Sequence, residues 1–180
     1  LESDFVALFE PAGKVQGPKL RAAIRSLRLA KLEPNLAPNG FIEKINQSKT
    51  AIEAAEKKPD VSSKLDDPRQ PFDVQMLVKQ IEQECVWPET YGGGSSKWGK
   101  EDGNFSHCLS LVARINGVLT SPAFECVFQP DNKAAVTTKF DDFITGSQKL
   151  LRIDLSGIAY EFHAREIIAN VIGRHLLTEA

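Results

Sequence analysis

Cysteine is scarce, long apolar runs are missing and the charges nearly cancel; each shortage excludes something. The three cysteines in 180 residues, Cys85, Cys108 and Cys126, are odd in number and scattered. That excludes a disulfide framework and fits a reducing, cytosolic setting. None belongs to a CxxC pair, and His107 beside Cys108 has no second closely spaced ligand pair to complete a tetrahedral site, so no metal is expected. No apolar stretch approaches the ~20 residues that span a bilayer, so no membrane partner is expected either. With a formal net charge of −2, nothing pulls the whole chain toward nucleic acid, and such binding would require a local patch.

Catalytic signatures are also missing. There is no GxSxG, no HExxH and no repeated acidic pair at helical spacing, while His107, His163 and His175 are far apart and have no nucleophile motif beside them. No catalytic residue is assigned. Neither an initiator methionine nor a basic leader opens the chain at Leu1-Glu2-Ser3-Asp4, and Thr178-Glu179-Ala180 stops inside a helical pattern without a glycine cap. The segment is therefore expected to be excised from a longer protein.

What is present is a soluble, globular composition, 42% apolar and 26% charged. Phe5-Val6-Ala7-Leu8-Phe9, closed by Pro11 and Gly13, reads as a buried strand or packed entry segment. Pro18 then suits a first helical turn, and Leu20, Ile24 and Leu27 recur at helical spacing to about Leu32. Phe41 to about Lys57 predicts a second helix, and Pro59 to Pro71, polar and bearing three prolines, a linker or long loop. Val74, Leu77, Val78, Ile81 and Cys85 make a third helix capped by Asp73, and Phe105 to Leu119 a fourth. Beyond Pro122 the pattern changes. Phe124 to Phe128 and Leu150 to Leu155 read as strands, and Phe140 to Ile144 and Glu161 to Leu177 as helices, which together predict an α/β unit.

Two local features invite a binding role. Gly94 to Lys100 satisfies the GxxxxGK part of a phosphate-binding loop, but Glu101 stands where Ser or Thr would bind magnesium, and no buried strand precedes it. A flexible surface loop is the better account, and a small nucleotide-binding protein built on this loop is the weakest functional reading. Arg21, Arg25 and Arg28 fall at i, i+4 and i+7 as one charged stripe. The stripe fits DNA phosphates, a subunit interface or an ordinary solvated helix face, and no aromatic interleaving raises the DNA option.

The residues from about 105 onward carry a family resemblance. Leu151-Arg152-Ile153-Asp154-Leu155-Ser156-Gly157-Ile158, followed by a helix with Arg165, resembles the "IDLSGL…E.R" strand and helix of HerA-type DNA-translocating ATPases. Leu111-Val112-Ala113-Arg114-Ile115 and then Ser121 to Phe128 resemble that family's arginine-bearing helix and the core strand after it. Over residues 1–104 the likeness is architectural only.

The resemblance implies a mixed, helix-rich α/β fold: a four-helix subdomain inserted into an incomplete RecA-like core. Residues 1–16 would be a core or entry segment, 17–119 the helical insertion with flexible loops near 58–71 and 88–104, and 120–180 the partial core. It further implies a parent that hydrolyses ATP with magnesium as a homo-hexamer and moves double-stranded DNA beside a nuclease or other effector. Neither the phosphate loop nor the acidic metal-binding strand falls within this chain, which by itself is expected to be inactive and to need no cofactor. Asp154 and Ser156 would lie at the carboxyl end of a parallel strand, where ligand crevices form; capping the next helix is the alternative. Arg114 would reach a neighbouring subunit's nucleotide or brace the bundle. A stand-alone helical protein-interaction module is the rival reading.

Overall fold

The computed structural model describes residues 2–89, 96–121, 124, 136–147, 149–156 and 164–179. The chain divides into two compact units, Leu1–Asn116 and Gly117–Ala180. No helix among the described residues is long and apolar enough to cross a membrane.

The first unit is helical. Helix α1 spans Glu2–Phe9. Phe5, Leu8 and Phe9 share one face at i, i+3 and i+4, and acidic Glu2 and Asp4 suit the positive end of the helix dipole. Glu10 ends it in the left-handed region, φ 40°, with its N–H on the Val6 carbonyl at 3.0 Å. Phe5 stacks at 5.0 Å against Phe72 in a tilted pair.

Helix α2, Gly13–Leu32, buries Leu20, Ala23, Ile24, Leu27 and Leu29. It begins one turn earlier than Pro18 alone suggests. The reason is Gln16: its Oε1 accepts from the Ala12 N–H at 2.8 Å, while its Nε2 donates to the His107 carbonyl and Ser110 hydroxyl, each at 2.8 Å. One side chain thus caps α2 and fastens it to α6, Phe105–Leu119.

Residues 41–49 are not helical, contrary to the periodicity of Phe41, Ile45 and Ile52; α3 spans only Thr50–Glu56. Helix α5, Leu77–Glu84, which packs along α2, supplies competing partners for that backbone. Gln80 accepts from the Ile42 N–H at 2.8 Å and donates to the Ile42 carbonyl at 3.1 Å, and Gln83 accepts from the Lys44 N–H at 2.9 Å. With those groups satisfied from outside, an internal helical ladder has nothing to add. The expected linker after Pro59 also folds. Pro59 opens α4, Pro59–Leu65, at a position where its missing N–H costs nothing, and Val61 and Leu65 join Leu29, Ala30, Ala37, Ile42 and Ala55 in one apolar cluster.

The expected mixed α/β fold with an incomplete RecA-like core is overturned. Among the described residues there is no strand, only two isolated antiparallel bridges, Ser48 with Lys97 and Val86 with Glu101. Phe5 to Phe9 is helical, because its apolar positions satisfy a 3.6-residue period as well as an extended one. Leu150 to Leu155 runs without regular structure and without a ladder partner, with Leu150 86% exposed. An exposed segment with no ladder partner among the described residues is not a buried strand.

Phe124 closes a turn onto the Ser121 carbonyl at 3.0 Å, and residues 125–128 lie outside the described ones. The second unit's described elements are α7, Val136–Thr145, and α8, Ala164–Glu179. Val118, Leu119, Phe124, Phe140 and Ile172 are its buried apolar side chains among the described residues.

Candidate functional site: an arginine-lined cleft

Arg21, Arg25 and Arg28 do share one face of α2, but they do not form an open basic stripe. They line a cleft of about 290 Å³ together with Glu2, Ala22, Leu65 and Asp66. Their side chains are 62%, 42% and 4% exposed in that order, so the stripe runs from solvent into the interior. Arg28 Nη1 lies 3.2 Å from Glu2 Oε2 and also donates to the Leu65 carbonyl at 3.3 Å, while Nη2 reaches the Pro68 carbonyl at 3.5 Å. Its Nε–H is buried with no partner. Arg25 pairs with Asp66 and, at 3.6 Å, with Glu56. Arg21 has the loosest ion pair, 3.9 Å from Glu2 Oε1. Chemically the cleft can hold and orient an oxyanion; it contains no nucleophile or histidine.

A second polar cluster lies between α2, α5 and residue 44, and sequence reasoning missed it. Glu84, 8% exposed, accepts from Ser26 at 2.6 Å, Gln80 at 3.0 Å and Lys44 at 2.7 Å. Lys44 also lies 5.3 Å from the centre of the Trp98 ring. Lys19 donates to the Glu84 backbone carbonyl and to Asp102 at 3.3 Å. Burial pushes the Asp102 carboxyl up, but the Asn104 backbone and side-chain donors, then Lys19, outweigh it and hold Asp102 below its ordinary value. All these groups are matched, and a fully satisfied buried network rigidifies a fold. Only the polar residues at core-facing positions of α2 and α5, Ser26 and Gln80, could have signalled it.

The GxxxxGK segment is structurally committed elsewhere. Gly94 and Ser95 lie outside the described residues. From Ser96 on, the backbone is pinned on two sides: Trp98 N–H donates to the Gln47 carbonyl at 3.0 Å, and Gly99 N–H to the Trp87 carbonyl at 2.8 Å. The Trp98 and Gly99 amides are thus already bonded and not free to cradle a phosphate, and α6 begins only at Phe105. Gly99 is needed for close approach, since a Cβ there would sit 2.7 Å from the Glu89 carbonyl oxygen.

The remaining sequence-predicted residues separate into two local arrangements. Arg114 on α6 grips the end of α1, donating to the Phe9 carbonyl at 2.7 Å and the Glu10 carbonyl at 2.5 Å. In the second unit Asp154 Oδ1 accepts from the Ser156 N–H at 2.8 Å, and Arg165 of α8 donates to the Ser156 carbonyl at 3.0 Å. The hydrogen bonds from Ser156 hold the Asp154 carboxyl below its ordinary value, with Arg165 adding a smaller pull. Gly157 and His163 lie outside the described residues. Among the described residues no cluster of His, Cys, Asp and Glu could hold a metal ion.

No protein-family description, curated protein or solved structure matches the chain.

Proposed function

We propose that the chain is a non-catalytic segment of an ATP-dependent double-stranded DNA translocase. The observation that carries the reading is the bond from Arg165 to the Ser156 carbonyl, 3.0 Å long. It joins the two halves of the motif on which the resemblance chiefly rests, the Ile153-Asp154-Leu155-Ser156 turn and the arginine of the following helix. The reading involves that turn and helix and the helical unit of residues 1–116; it does not include a RecA-like sheet. ATP, magnesium, duplex DNA, a nuclease or other effector and a homo-hexameric ring belong to the parent protein, and the cytosol is the compartment that supplies the nucleotide. Residues 96–100 contribute no phosphate cradle, so hydrolysis would be supplied from outside this segment.

The test is DNA-stimulated ATP hydrolysis by the product of the full reading frame containing these residues. Hydrolysis that disappears when a flanking GxxxxGK[ST] lysine is replaced supports the proposal. A reading frame without that motif and without an acidic hydrophobic strand overturns it.

A second reading, a helical protein-interaction module, is favoured by the self-contained unit of residues 1–116, which has its own apolar cluster and buried polar network. Natural start and stop codons at the two ends of this segment would leave that reading standing alone.

A further inference from the structure

The Arg21, Arg25 and Arg28 cleft has more donors than its resident acceptors use. The Glu2 carboxylate is spread across two guanidiniums, 3.2 Å from Arg28 and 3.9 Å from Arg21. Arg28 is 3% exposed and keeps a buried Nε–H without a partner. An orphaned donor of this kind on a buried arginine needs an explanation. Guanidinium forks match the oxygens of a phosphate, which offers more acceptors and more charge than one carboxylate. The size of the cleft narrows the ligand. About 290 Å³ holds roughly ten waters' worth of liquid volume. That suits one compact group and is far too small for a duplex.

We propose that this cleft is a binding site for a compact phosphate group, with the Glu2 carboxylate as its built-in competitor. Arg28 forms the floor, Arg21 and Arg25 close over the anion from the solvent side, and Glu2, in the first turn of α1, swings away as the phosphate enters. The site is independent of the translocase reading, because it uses none of the residues of the resemblance.

The test is calorimetric titration of the 180-residue chain with pyrophosphate at low ionic strength, alongside Glu2→Gln, Asp66→Asn and Arg21→Gln variants whose folding is checked by thermal melts. Saturable binding is expected. It should tighten about tenfold in Glu2→Gln, the effect of freeing one charge-assisted bond, and weaken by a similar factor in Arg21→Gln. Asp66 is 75% exposed, so Asp66→Asn leaves the fold intact and should tighten binding several-fold even if Glu2→Gln disturbs α1. Absence of saturable binding in both carboxylate variants overturns the proposal, as does an unchanged affinity in Arg21→Gln. A short DNA duplex that binds more tightly than pyrophosphate, and loses affinity in Arg21→Gln, would show that the stripe takes polymer phosphates and would overturn the assignment to a compact ligand.

Discussion

Gln80 holds Ile42 by both ends of its side-chain amide, accepting from the backbone N–H at 2.8 Å and donating to the carbonyl at 3.1 Å. Both residues are fully buried. The pair acts as a short substitute for a strand ladder, made by a side chain on a helix.

Gln80→Leu keeps most of the volume but leaves the Ile42 N–H and carbonyl unmatched and removes one donor to Glu84. At about 1–3 kcal/mol for each buried group left unpaired, the loss should be on the order of 3 kcal/mol. Urea unfolding should show a lower midpoint with an unchanged slope, and the Ile42 amide should lose its hydrogen-exchange protection. An amide that stays protected in the variant would refute the role given to Gln80.

Asp102 sets a limit on the acid side. Its folded carboxyl titrates below its ordinary value of 3.8, so the unfolded chain takes up the proton first as the pH falls. The stability it contributes is present above about pH 4 and is lost as the pH drops through the folded value. Asp102→Asn should therefore flatten the acid limb of a stability-against-pH curve measured by chemical denaturation. An identical limb in the variant would remove Asp102 as its source.

On the alkaline side Cys85 governs. Burial, and then the neighbouring Cys108, push its thiol from 9.0 up to about 12. The unfolded thiol ionises first as the pH rises, so stability is full below about pH 9 and declines between there and about pH 12. Both thiols are buried and held neutral, so iodoacetamide at neutral pH should modify neither until the first unit opens. Mass spectrometry of the alkylated native protein decides it: rapid labelling of Cys85 would be incompatible with this burial.

Gly99→Ala and Lys100→Ala should have opposite consequences. A Cβ at Gly99 would lie 2.7 Å from the Glu89 oxygen and 2.8 Å from Trp87 Cβ, so pairing of residues 99–101 with 86–87 must give way, at a cost of about 1–3 kcal/mol. Lys100 is exposed, and its truncation should shift the melting temperature little. Magnesium-dependent ATP binding by the wild-type chain that vanishes in Lys100→Ala would restore the phosphate loop that the bonded Trp98 and Gly99 amides argue against.

Where one residue pattern admitted one geometry, the sequence was readable. Phe105 to Leu119 emerges with the expected bounds because its apolar positions keep a helical period for four turns with no internal proline or competing partner. Leu20, Ile24 and Leu27 are buried as their spacing predicts. Phe5 to Phe9 was ambiguous in principle: five consecutive apolar residues satisfy both periods, and packing decides between them. Residues 41–49 kept a helical pattern but lost the helix to glutamines some forty positions away, which no local window can detect. The site was legible in part. The spacing of the three arginines put them on one face, but Glu2 and Asp66, which turn that face into a cleft, come from either side in sequence and are brought together only by folding.

Arg114 makes its bonds to Phe9 and Glu10 across 105 and 104 positions of chain. The first unit therefore has a clasp whose two halves are made far apart in time. On the ribosome α1 and α2 emerge early, but their turn at Glu10 is gripped only after α6 has been synthesised, and long-range closures of this kind are slow to form. Until then α2 can already pack against α4 and α5, but the turn that joins it to α1 has no grip. Any shortened version of this protein that stops before Arg114 should keep that turn unclasped permanently.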